Sequence, residues 1–276
     1  MIVEIYEKIY NSLLKIKEKN PLIHHITNYV TVNDCANIVL AIGASPVMAD
    51  DINEVEDMVS IASALVINIG TLNQKTVKSM LLAGKKANEL NIPVILDPVG
   101  VGATKYRTHI ALELLREIKF SVIRGNISEV KVLSGMDAST KGVDAESCDE
   151  DNSIEERIKL VKNLSEKYNA VIAITGEKDV IGFKKDIYIV ENGSSIMSKI
   201  TGTGCMCTSV IASYCGAEKD YLQATLSGVT SMGIAGEIAY EKTKNLGPSS
   251  FRTALIDSIY NLNENSFKER GKVYNG

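Results

Sequence analysis

Four short runs of β-branched and apolar residues most constrain how this chain can fold: Ala64–Asn68, Pro93–Asp97, Ser121–Arg124 and Ala170–Thr175. Each is apolar at successive positions rather than at alternate ones, the pattern of a strand covered on both faces. Between them lie stretches of helical periodicity such as Asn73–Asn91 and Ser153–Tyr168. The alternation predicts an α/β fold with a mostly parallel central sheet and helices on both faces. Further on, Val180–Phe183 and Ile187–Val190 flank Lys184-Lys185-Asp186. That is a hairpin pattern, so late antiparallel strands are expected. From Gly204 onward the pattern is almost wholly helical, over Cys205–Cys215, Tyr221–Lys242 and Phe251–Asn263. The tail from Ser266 is expected to fray.

Composition narrows the function classes. With 45% apolar and 23% charged residues, the 276-residue chain is read as one globular domain, 1–276, rather than a disordered one. Thirty basic against 34 acidic residues give no basic surface for nucleic acid. No run of about 18 uncharged apolar residues suggests a membrane span. Residues 1–20 carry acids and lysines, with Ile5, Ile9, Leu13 and Ile16 near helical spacing, unlike a signal peptide. The five cysteines (Cys35, Cys148, Cys205, Cys207, Cys215) form no disulfide framework, so a reducing, cytoplasmic location is expected. Residues 136–152 hold six acids against Lys141 without ligand spacing, and are read as an acidic surface loop.

The four runs end in Asn68, Asp97, Arg124 and Thr175, each followed within three residues by a glycine. One such residue can simply mark where burial stops. Four with glycines nominate the carboxyl edge of the sheet, where open α/β sheets bind ligands. Neither a Walker-type phosphate loop nor a dinucleotide fingerprint is present, and no paired CxxC provides a zinc site. The most informative segment is Lys199–Thr208, where Gly202 and Gly204 alternate with threonines before a helix. Two readings stand: an anion hole made of free first-turn amides, or a plain glycine loop with a small buried cysteine. Cys205 falls in that first turn, where a thiol pKa is expected to drop. Cys207, two residues on, faces another direction.

Five blocks then carry a specific resemblance: Asn20–Thr31, Gly43–Met48, Asp97–Ala103, Arg124–Glu129 and Thr201–Cys205. In order and spacing they resemble the hydroxyethylthiazole kinase family of the ribokinase-like superfamily, from about Asn20 to Asn263. The resemblance implies a ribokinase-like fold and ATP-dependent phosphorylation of 4-methyl-5-(2-hydroxyethyl)thiazole with Mg²⁺, in thiamine salvage. It also implies a homotrimer with substrate sites at the subunit interfaces. Cys205 matches the residue nearest the reacting hydroxyl, where many superfamily kinases carry Asp. Gly202, Thr203 and Gly204 match the anion hole, and Gly202 also a substrate contact. Arg124 and Thr175 match nucleotide-binding positions.

Asn126 and Glu129 match the motif that organises Mg²⁺ and phosphates through water. Their spacing is also that of a capping box, and it recurs at Asn53–Glu56 and Ser153–Glu156. Asp97 is expected in the same metal network. Asn28 and Met48 match the thiazole pocket, although a methionine there also reads as core filler. His24 and His25 are given no catalytic role. The rivals are a hydroxymethylpyrimidine-type kinase, a dehydratase repairing hydrated nicotinamide cofactors, and a non-catalytic binding protein on the same fold. Cysteine in place of aspartate and the Asn28 block oppose the first two. The intact loop with Asp97, Arg124 and Glu129 opposes the third.

Overall fold

The computed structural model describes residues 2–135 and 153–276. The expected acidic loop 136–152, with Cys148, lies outside the described residues. The chain opens with α1 (Ile2–Lys19), β1 (Leu22–Ile26), α2 (Val32–Ile42), β2 (Ser45–Met48) and α3 (Val55–Ile61). There follow β3 (Ala64–Asn68), α4 (Gln74–Glu89), β4 (Val94–Asp97), α5 (Lys105–Glu117), β5 (Val122–Asn126) and α6 (Ile127–Ser134). After the undescribed stretch come α7 (Ile154–Tyr168), β6 (Val171–Thr175), β7 (Asp179–Phe183) and β8 (Asp186–Val190). A short 3₁₀ turn (Ser195–Lys199) leads to α8 (Thr203–Ala217), α9 (Tyr221–Thr243), α10 (Pro248–Tyr260), α11 (Glu264–Arg270) and β9 (Val273–Asn275).

Among these residues one nine-stranded sheet runs in the order β2-β1-β3-β4-β5-β6-β7-β8-β9. Strands β1 to β6 pair in parallel, and β7, β8 and β9 are antiparallel additions. The unbroken apolar runs are explained by two cores. Ala64 and Val66 of β3 enter one core with α1, α2, α8, α9 and α10, and Leu65 and Ile67 enter another with α4, α5 and α7. In β6, Val171 and Ala173 divide from Ile172 and Ile174 in the same way. A strand buried on both faces needs no polar alternation. Helix α8 is itself buried at every position from Cys205 to Cys215. Two of its interior hydroxyls are served locally, Ser209 and Ser213 donating to the carbonyls of Cys205 and Ser209.

The fraying expected from Ser266 is corrected. Asn263 caps α11 through the Ser266 amide, Phe267 is fully buried, and β9 pairs with the otherwise open edge of β8. The Tyr6 hydroxyl donates to the Gly271 carbonyl at 2.7 Å and accepts from the Val273 amide at 3.3 Å. An apolar anchor on a free strand edge outweighs the polar composition of the tail. Tyr6→Phe removes both bonds and leaves a buried donor unpaired. A urea titration should show about 1–3 kcal/mol of lost stability. An unchanged midpoint would mean that the tail holds without this tyrosine.

Candidate active site

The carboxyl edge of the parallel strands gathers the polar strand ends. Asn68 and Asp97 are register neighbours in β3 and β4, and Asn126 and Thr175 in β5 and β6. Asp97 is completely buried. Its Oδ2 accepts from Asn68 Nδ2 at 2.8 Å and from the Thr208 hydroxyl of α8 at 3.0 Å. Its Oδ1 has no hydrogen-bond partner among the described residues, and Arg124 Nη1 stands 3.8 Å away. Burial pushes the Asp97 pKa up, and Arg124 pulls against it. The Arg124 guanidinium also donates to the Thr175 hydroxyl.

Cys205 lies against this cluster. Its Sγ accepts from Asn28 Nδ2 and from Asn68 Nδ2, each at 3.3 Å. Asn28 Nδ2 also donates to Asn68 Oδ1 at 3.0 Å, so the two amides form one unit around the sulfur. Asn28 Oδ1 in turn accepts from the amide and hydroxyl of Thr31. The lowered thiol pKa expected for a first-turn cysteine is corrected. Burial, joined by the negative charge of Asp97, pushes Cys205 up to about 12. The helix N-terminus favours an anion, but loss of water and a neighbouring carboxylate outweigh it. Cys205 is a neutral thiol at physiological pH.

A cleft of about 740 Å³ opens on the other side of the α8 N-terminus. Arg124, Asn126, Thr175, Thr203 and Gly204 line it, and Cys207 faces it. Cys205 and Cys207 therefore diverge, as two residues apart on a helix must. Helix α8 has Gly202 as its N-cap residue and no side-chain cap, so its first amides stay available. The two glycines are needed for different neighbours. Gly202 has φ of 90°, and a Cβ there would lie 2.6 Å from Thr31 Cγ2, on the Asn28 side. A Cβ on Gly204 would lie 2.6 Å from Arg124 Nη1, on the cleft side.

Asn126 and Glu129 do form a capping box at the start of α6. Asn126 Oδ1 accepts from the Glu129 amide at 2.9 Å, and Glu129 Oε2 from the Asn126 amide at 2.8 Å. Ser153 caps α7 with the same spacing, through the Glu156 amide, whereas Asn53 caps nothing. Glu129 differs from an ordinary cap residue. It is buried, its Oε1 accepts from the Gly100 amide at 2.9 Å, and burial and Asp97 push its pKa up.

Met48 ends the edge strand β2, half-buried, with its Cα opposite His25 of β1. It shares the sheet edge with Asn28 but joins none of the hydrogen-bonded groups around Cys205. His24 and His25 are buried and hydrogen-bonded to the backbone carbonyls of Ala49 and Ile23. Burial pushes His25 down to about 4, so it is uncharged. Sequence reasoning gave no role to Thr31, Thr208 or Asn68. Only Asn68 carried a signal, as the polar end of an apolar run.

Comparison with known proteins adds an independent line. Residues 13–265 match the model of the hydroxyethylthiazole kinase family. A hydroxyethylthiazole kinase from Clostridium tetani (strain Massachusetts / E88) is 90% identical over 99% of this chain and 100% of its own. The structure of a hydroxyethylthiazole kinase from Pyrococcus horikoshii OT3 superposes with a TM-score of 0.89 at 39% identity, covering 98% of this chain and 99% of its own. A ribokinase-like superfamily protein from Enterococcus faecalis V583 shares the fold with a TM-score of 0.63 at 12% identity, over 88% of each chain. The fold is thus the ribokinase-like α/β fold expected from the sequence.

Gly204→Ala tests the packing at the α8 N-terminus. Helix propensity alone predicts a gain of up to about 1 kcal/mol. Displacing Arg124 from Asp97 predicts the opposite sign, since breaking a buried ion pair costs about 3–5 kcal/mol. Chemical denaturation should show a net loss. A stabilised variant would show that Arg124 moves aside freely.

Proposed function

The chain belongs to the hydroxyethylthiazole kinase family, and we propose that it phosphorylates the hydroxyl of 4-methyl-5-(2-hydroxyethyl)thiazole with ATP, a salvage step in thiamine biosynthesis. The observation that carries this reading is the position of the α8 N-terminus. Uncapped amides point out of it, Arg124 and the large cleft lie on one side, and Cys205 with its amide pair lies on the other. Phosphoryl transfer needs a donor and an acceptor held in line across an anion-stabilising group.

In this reading Arg124 and Thr175, with Asn126 at the cleft wall, hold the ATP phosphates. The amides of Thr203, Gly204 and Cys205 receive the oxygens of the transferring group, where preorganised donors lower the barrier most. Gly202, Asn28 and Met48 form the thiazole side. Cys205 orients the alcohol as a neutral thiol. A loose phosphoryl-transfer transition state asks for little base strength, so an unionised thiol suffices.

The residues present fit a hydrated Mg²⁺ ion. Among the described residues no three acidic, histidine or cysteine side chains converge as a metal cage. Mg²⁺ does not need one, because it keeps several waters and takes one or two carboxylates with substrate phosphates. Asp97 and Glu129 are buried, mutually repelling carboxylates, and Asp97 Oδ1 lacks a hydrogen-bond donor. Bound there through water, the ion would neutralise charge on the phosphates.

We further propose a homotrimer with shared substrate sites. Exposed Tyr29 and Val30, beside Asn28, support it by offering apolar surface next to the thiazole side. We treat 1–276 as a single kinase domain, supported by the one continuous sheet. We place it in the cytoplasm, a compartment suited to free Cys35, Cys205, Cys207 and Cys215. No helix among the described residues is long and apolar enough to cross a membrane.

A coupled kinase assay tests the substrate, with turnover expected on the thiazole alcohol and not on hydroxymethylpyrimidine or a sugar. Preference for the pyrimidine, or ATP binding without turnover on any alcohol, would overturn the assignment. Cys205→Ser should keep turnover within about tenfold, roughly 1.4 kcal/mol of barrier, because its hydroxyl still accepts from both amides. Cys205→Leu should be inactive, with the acceptor shared by the two amides lost and the alcohol blocked. An inactive Ser variant that folds and binds ATP would show that the thiol itself is required. Light scattering of the active enzyme should give three times the chain mass, and a fully active monomer would overturn the shared sites.

A further inference from the structure

Arg107 breaks a local rule. It sits in the first turn of α5, where Thr104 caps its amide at 3.2 Å. A cation there opposes the helix dipole. No carboxylate among the described residues lies within ion-pair distance to compensate it. The guanidinium instead donates to three main-chain carbonyls. Nη1 reaches Ile69 at 3.0 Å and Val99 at 2.7 Å, and Nη2 reaches Gly70 at 2.7 Å. Ile69 and Gly70 follow β3, and Val99 follows β4, so one planar fork fastens the two loops that leave Asn68 and Asp97.

The bonds fall on particular peptide planes. The Ile69 carbonyl and the Gly70 N–H belong to one peptide, and that N–H donates to Asn68 Oδ1 at 2.9 Å. The Val99 carbonyl and the Gly100 N–H belong to another, and that N–H donates to Glu129 Oε1 at 2.9 Å. Nη1 therefore grips the carbonyl end of each of two peptides whose opposite ends orient Asn68 and Glu129. Gly100 permits the second, with φ of 72° and a Cβ position only 3.1 Å from Nη1. A charged donor on a carbonyl also polarises its peptide and strengthens the N–H at the other end. Lysine lacks the fixed fork that serves two loops at once.

We propose that Arg107 is a positioning residue for phosphoryl transfer: by setting two peptide planes, it holds Asn68 against Cys205 and Glu129 at the phosphate side in one frame. The proposal rests on the reading of Asn68 and Glu129 as site groups. Arg107→Met and Arg107→Lys are compared with the parent and with Arg270→Met, which removes an exposed ion pair to Glu241. Arg107→Met should lose at least thirtyfold in kcat at a temperature where it is fully folded, Arg107→Lys should fall between, and Arg270→Met should match the parent. The rise in melting temperature that Mg²⁺ gives the protein loaded with a non-hydrolysable ATP analogue should shrink by at least half in Arg107→Met. Adding Glu129→Gln to Arg107→Met should cost less than threefold more.

A kcat within threefold of the parent and an unchanged Mg²⁺ increment would overturn the proposal, as would fully multiplicative losses in the double variant. If Arg107→Met does not fold, Arg107→Lys decides, and parental values for it overturn the proposal. If Glu129→Gln alone keeps parental kcat and increment, the metal reading of Glu129 fails separately. Arg107 is then judged with Asn68→Ala, whose loss must not multiply with that of Arg107→Met.

Discussion

Asp97 is a carboxylate with no exposure to solvent, and the carboxyl edge of the sheet is organised around compensating it. An uncompensated buried ion costs several kcal/mol, more than most single interactions in a fold return. The compensation comes from three elements besides its own strand: Asn68 from β3, Thr208 from α8 and Arg124 from β5. Arg124 is anchored in turn by Thr175 of β6 and covered by Gly204. Four adjacent strands and one helix are thus locked in register by one charge. A buried ion pair is a weak source of net stability, so the arrangement is better understood through what the charge does at the edge than through what it adds to folding.

Helix α8 divides that edge into two compartments. Its first turn supplies free amides at the boundary, and the residues on either side are sorted by helical geometry. Gly202 and Cys205 turn to Thr31, Asn28 and Asn68, whereas Gly204 and Cys207 turn to Arg124 and the cleft. The alternation Gly-Thr-Gly-Cys therefore records two separate close approaches. Replacing either glycine acts on a different half of the site.

Much of this was legible in the sequence. Apolar runs without alternation require burial on both faces, and the two cores supply it. The polar ends of those runs do converge. What was not legible depended on distant neighbours. The Cys205 thiol is set by burial and by Asp97, and neither is visible in a first-turn motif. In the tail, Phe267 stands among polar and charged residues, and its burial depends on α1, where Tyr10 packs against it, while β9 depends on the open edge of β8. The role of Asn68 needed the register with Asp97. Arg107 carried a signal, a cation against a helix dipole, whose meaning lay in carbonyls from two other loops.

The same charge count explains why a neutral cysteine suits position 205. The sheet edge already holds Asp97 and Glu129, with Arg124 as the buried cation that attracts both, and in the proposed reaction the nucleotide phosphates would add to that negative charge. An ionised group at 205 would add negative charge where the proposed reaction brings the transferring phosphoryl group, in a low-dielectric environment that magnifies repulsion. A thiol held by two amide donors provides a fixed, uncharged acceptor instead. The acceptor alcohol then needs only to be placed. In the proposed reaction, placement is the task shared by Asn28, Asn68 and the loops that Arg107 fastens, and the electrostatic work falls to Arg124, the α8 amides and a metal bound with the nucleotide.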